Sequence, residues 1–113
     1  MAEVDIEDEI NRTITLAMKH CISGDWDAFT RVFSSGFLNE TVMKQTFFES
    51  HDILNKSQDV EWTTEISKQS ANVYASHSTI QSDPRVFLII RFTRRGNNLF
   101  SNALVLCPSD DFA

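Results

Sequence analysis

The stretch Pro84–Pro108 restricts the folds open to this chain more than any other. Arg85-Val-Phe-Leu-Ile-Ile-Arg-Phe-Thr93 is an apolar run rich in β-branched and aromatic residues, the composition of a strand. Arg94-Arg-Gly-Asn-Asn98 follows, and its Gly and Asn tolerate the positive φ of a hairpin turn. Leu99 to Cys107 reads as the returning strand, stopped by Pro108. Side chains alternate faces along a strand, so Val86, Leu88, Ile90 and Phe92 share one face and Phe87, Ile89 and Arg91 the other. Both faces are apolar at the centre. Helices of a small domain cover one side of such a sheet, so a second sheet or another chain must cover the other.

A chain of 113 residues is read as one domain spanning 1–113. It can bury roughly two thirds of its unfolded surface, enough for a core without staples, and nine Phe and two Trp supply large core side chains. The net charge of −6 argues against direct nucleic-acid binding, which needs a basic stripe. Arg91, Arg94 and Arg95 are the one basic cluster, and a solvated hairpin tip explains them better than a phosphate contact. The acidic start, Met1 to Glu9, lacks the apolar centre of a signal peptide, and no run is long enough to span a bilayer. An intracellular location, cytoplasmic or nuclear, is therefore expected, and the sequons at Asn11, Asn39 and Asn55 are read as chance. Cys21 and Cys107 have neither CxxC nor ligand spacing and are expected to be reduced and buried.

From Val4 to Ile22, Ile6, Ile10, Ile14, Ala17 and Cys21 recur at steps of three or four and predict a helix ending at Gly24. Asp25 is a natural N-cap for a second helix, Trp26 to Ser34, whose buried side is Trp26, Phe29, Val32 and Phe33. Phe37 to Lys44 is compatible with short strands or with the opening of a helix. Thr46-Phe-Phe-Glu49 matches a capping box, which predicts a third helix, Phe47 to Asn55, with Phe47, His51 and Leu54 on one side. From Val60 the period becomes two. Val60, Trp62, Thr64 and Ile66 form the apolar side of one strand, and Ala71 to Ile80 reads as another, with Val73, Ala75 and His77 opposite Tyr74, Ser76 and Ser78. Helices followed by antiparallel strands give an α+β fold, three N-terminal helices packed on one face of a curved antiparallel sheet.

Two stretches carry a family likeness. Gly24-Asp-Trp-Asp-Ala-Phe-Thr-Arg-Val-Phe33 looks like the link between the first two helices of the nuclear-transport-factor-2-like superfamily, the cystatin-like cone folds. Phe100-Ser-Asn-Ala-Leu-Val-Leu-Cys-Pro108 is similar to the "F-x-Q-x-F-x-L-x-P" strand of its transport and export group, with Asn102 at the Gln and Leu104 at the second Phe. The resemblance implies a cone of helices on a curved sheet. It also implies homodimers or heterodimers through the sheet face, and an association with nucleocytoplasmic transport or RNA export. The family usually adds a strand after this Pro, where this chain has only Ser109 to Ala113, so the last sheet edge is expected to be open. The family's GTPase-binding and Phe-Gly-binding residues find no counterparts here.

Two function classes follow. In the first the chain is a non-catalytic module that dimerises and binds other proteins through the sheet, with Phe87, Ile89, Arg91 and Leu104 as interface candidates. In the second the cone is a small-molecule pocket lined by Trp26, Phe29, Phe33, Trp62, Tyr74 and His77, serving an apolar ligand or isomerase and dehydratase chemistry. Isomerases of the family pair a Tyr with buried carboxylic acids, and no such set is evident. Tyr74 lies on a strand and Asp25 is explained as a cap, which leaves His77 as a general base if it faces the cavity. No metal is expected, because His20, His51 and His77 lack ligand spacing. No cofactor is expected either, since three glycines make no phosphate loop. The first class is the better supported.

Overall fold

The computed structural model describes residues 6–56, 60–82 and 84–108. Three helices, α1 (Ile6–Ser23), α2 (Trp26–Val32) and α3 (Glu40–Lys56), precede four strands, β1 (Trp62–Ser70), β2 (Val73–Ile80), β3 (Val86–Arg95) and β4 (Asn98–Pro108). The strands form one antiparallel sheet in the order β1-β2-β3-β4. The chain is an α+β protein, as its pattern predicts. Val4 and Asp5, placed at the start of the first helix, and the tail after Pro108 lie outside the described residues.

α1 forms where the apolar period lies. Ile10, Ile14, Ala17, Met18 and Cys21 are buried along one stripe, and Glu7, Asp8 and Glu9 complement the positive end of the helix dipole. Its C-terminus is closed twice. Gly24, at φ +75, donates its N–H to the Cys21 carbonyl at 3.2 Å, and Asp25 donates to the His20 carbonyl at 3.0 Å, the paired bonds of a Schellman end. His51 of α3 then places Nδ1 3.1 Å from the carbonyl oxygens of both Cys21 and Ile22. Carbonyls only accept, so this nitrogen carries the proton. Asp25 also starts α2, its carboxylate accepting from the Ala28 N–H at 3.1 Å. One short link therefore ends α1, begins α2 and docks α3.

The third helix is longer than its sequence pattern suggests. Asn39, and not Thr46, caps it, its side-chain oxygen accepting from the Val42 N–H at 3.2 Å. Thr46 lies inside the helix and donates its hydroxyl back to the Val42 and Met43 carbonyls, so the expected capping box with Glu49 does not form. Of the ambiguous stretch, Glu40 onward is helical, while Phe37 makes an isolated parallel bridge to Ala103.

That bridge corrects a second expectation. The edge of β4 is not open where Ser101–Ala103 run. Ser35 donates to the Ser101 carbonyl at 2.7 Å, Ala103 to Gly36 at 3.0 Å and Leu38 to Ala103 at 3.0 Å. The sharp turn Gly96–Asn97 joins β3 to β4 with Gly96 at φ +61, which suits a hairpin whose first central residue is left-handed.

The interior lies between the helices and one face of the sheet. Val86, Leu88, Ile90 and Phe92 of β3 join Ile10, Ile14, Met18, Phe29, Phe47 and Leu54 in a single buried cluster. Cβ atoms added at Gly24, Gly36 and Gly96 all meet a left-handed backbone, which costs roughly 1–2 kcal/mol. Only at Gly24 does the new carbon also come within 2.8 Å of the His51 ring. Gly24→Ala is therefore expected to lower the melting temperature well beyond Gly36→Ala and Gly96→Ala. Equal losses in the three variants would remove the docking role assigned to His51.

Candidate functional site

Register determines which side chains share the face turned away from the helices. Phe87 pairs with Thr79 and Cys107, Ile89 with His77 and Val105, and Arg91 with Ala75 and Asn102. Directly paired residues point to the same side, so these rows make up the outer face. None of Phe87, Ile89 and Val105 belongs to the buried cluster that unites the helices with the inner face. The odd positions of β3 thus face outward, a choice the alternation alone leaves open.

The four interface candidates occupy different places. Ile89 is half-buried and Arg91 exposed, both in the middle of the outer face. Phe87 points the same way but is only 6 % exposed, with its ring 5.9 Å from that of His77. It is part of the floor of the face more than a contact upon it. Leu104 sits at a bulge: Ile89 pairs with Val105 and Ile90 with Ala103, so Leu104 is the extra residue of β4 and is half-buried. Val105 and Cys107, which the sequence reading did not name as interface candidates, stand beside Ile89 and Phe87. The bulge shifts the parity of β4 and hides them from simple alternation.

The pocket candidates do not gather round one cavity. Trp26 lies 5.3 Å from Phe37 and 5.2 Å from Phe47, and Phe29 lies 5.1 Å from Phe33 and 4.8 Å from Phe47. Trp26, Phe29 and Phe33 thus fill the space between α2 and α3 with one another's rings, and such pairs add about 0.5–1.5 kcal/mol each to their burial. Trp62 and Tyr74 are half-buried on the inner face of β1 and β2, packed against the core. His77 is exposed on the opposite face, so it does not share a space with them. The polar groups of that inner face are hydroxyls: Thr64 and Ser78 share a 2.9 Å hydrogen bond, and the Ser76 hydroxyl is buried without a partner. A shallow hollow of about 100 Å³ lies elsewhere, between α1 and the hairpin, lined by Arg12, Thr13, Leu16, Phe92 and Leu99 among others.

Among the described residues, no group of three His, Cys, Asp or Glu is placed to hold a metal ion. No helix among the described residues is long and apolar enough to cross a membrane. The outer face carries charge of both signs: Glu65 of β1 pairs with His77, Arg91 and Arg95 lie on β3, and Arg95 lies 5.8 Å over the Phe100 ring. The excess negative charge of the chain is carried elsewhere. Compared with known proteins, the chain matches no family model, no curated protein and no solved structure.

Both thiols are free; Cys21 is buried as expected, whereas Cys107 is only half-buried. Burial pushes Cys21 up to about 12, and burial together with the nearby Glu49 carboxylate raises Cys107. A thiol raised in the folded state leaves stability intact below the unfolded value and removes it as pH climbs toward the folded one. For Cys21, stability should therefore hold up to about pH 8.5 and then fall toward pH 12, by at most roughly 1.4 kcal/mol per pH unit. Urea unfolding of Cys21→Val should show a shallower alkaline decline than the parent chain. Identical slopes would mean that the buried thiol is not the source.

Proposed function

We propose that this chain is a non-catalytic protein-interaction module that dimerises through the outer face of its sheet. The reading is carried by β3, the first strand of the hairpin. Ile89, with Val105 and Leu104 beside it, makes an apolar strip on the side of β3 that the helical cluster does not reach. Such a strip is retained on a soluble surface when another protein covers it. A copy of the same chain suits it because the face carries Arg91 and Arg95 as well as Glu65, so chains of net charge −6 can approach there without strong repulsion.

Three helices followed by a four-stranded antiparallel sheet agree with the cone expected from the resemblance of Gly24–Phe33 and Phe100–Pro108 to the nuclear-transport-factor-2-like superfamily. We read the domain as a cone of that kind, and its place as one where paired domains hold other proteins. A link to nucleocytoplasmic transport or RNA export is the extension that this resemblance supports.

Ile89→Asp tests the interface without emptying the core. The parent chain is expected to sediment at twice its 12.9 kDa mass. The variant is expected to sediment as a folded monomer with an unchanged helical spectrum. Phe87→Asp is unsuitable, because a charge at a site 6 % exposed would unfold the monomer itself. A variant that stays dimeric at Ile89→Asp contradicts the proposed face.

A further inference from the structure

The outer face does not stop at β4. The parallel bridge sets Phe37 against Ala103, and both belong to the interior side. Alternation along this extended piece turns the next residue, Leu38, to the outer side beside Leu104. Leu38 is 70 % exposed, and Val42, at the start of α3, is 52 % exposed. α3 carries the same flank along β4, since Glu49, two turns beyond Val42, lies within electrostatic reach of Cys107. The most exposed large apolar residues of the described chain thus form a shoulder that continues the sheet face.

The area required of a dimer points the same way. Strands of 9, 8, 10 and 11 residues present on the order of 600 Å² in plan, from strand spacing and rise. A stable interface takes roughly 800 Å² from each partner. Phe87 adds little, being buried already. The sheet alone falls short, and the shoulder supplies apolar surface where the deficit lies. Glu40 and Glu49 of α3 place carboxylates on the shoulder side, beside a sheet face that carries Arg91 and Arg95 with Glu65.

We propose that a second copy of this chain buries the Leu38–Val42 shoulder together with the outer sheet face, as one continuous twofold interface. This rests on the dimer reading above. The test is sedimentation velocity of the full chain across a dilution series, for the parent and for L38E/V42E, L38S/V42S, I89D and L16E. Leu16, 41 % exposed on α1, is the control. L38E/V42E is expected to raise the dimer Kd by about tenfold or more with an unchanged helical spectrum, L38S/V42S to move it the same way by less, and L16E to leave it alone. If I89D is monomeric while both shoulder variants keep the parent Kd, the shoulder is overturned and the sheet reading stands. A parent chain that is monomeric at every concentration overturns the sheet reading and the shoulder with it, leaving both surfaces to a different protein.

Discussion

β3 is the strand on which the rest of the molecule depends, because neither of its faces can be left to water. Its even side chains, Val86, Leu88, Ile90 and Phe92, are all at most 1 % exposed. Burial of each is worth about 1.5–3 kcal/mol. That gain requires three helices to converge on a single side of a four-stranded sheet, and it leaves none of them for Ile89 and Val105 on the other side. The helices cover one face and leave the other to Ile89, Leu104 and Val105, and the proposed function rests on that asymmetry.

The convergence is achieved at a small joint. Gly24 allows the chain to reverse tightly enough for Asp25 to close α1 and open α2, while the His51 ring occupies the space where a side chain at Gly24 would stand. α3, held there near its C-terminal half, lies against β4. Its N-terminal lead, Ser35–Leu38, is thereby brought to the β4 edge, where three backbone bonds hold it. Edge protection and the exposed shoulder at Leu38 are thus products of one arrangement. The segment that covers the edge inside must present its next side chain outside.

Much of this was legible in the sequence. The 3.6-residue period of α1, the Asp25 cap, the hairpin with Gly96 in its turn and the alternating strands β1 and β2 all follow from local chemistry. What was misread depended on partners distant in sequence. Thr46 has the form of a helix cap, yet Asn39 takes that role because the Phe37 bridge to Ala103 fixes where the helix begins. Ile89 and Arg91 could be named as outward candidates, but not that their parity faces out, since both faces of β3 are apolar. The bulge at Leu104 has no local signature, so Val105 and Cys107 were missed. The pattern favours a surface or edge place for His77 over a cavity, and pairing with Ile89 puts it on the outer face. The aromatic residues named for a pocket are close together because they pack on one another.

The most direct measurement is the isotope-filtered nuclear Overhauser spectrum of a one-to-one mixture of carbon-13-labelled and unlabelled chain. It detects only contacts between different copies. The account predicts filtered contacts from the methyl groups of Ile89 and Val105, which lie on the face that the helices leave uncovered. A spectrum with no filtered contacts at those methyls, whether the chain is monomeric or paired through another surface, would contradict it.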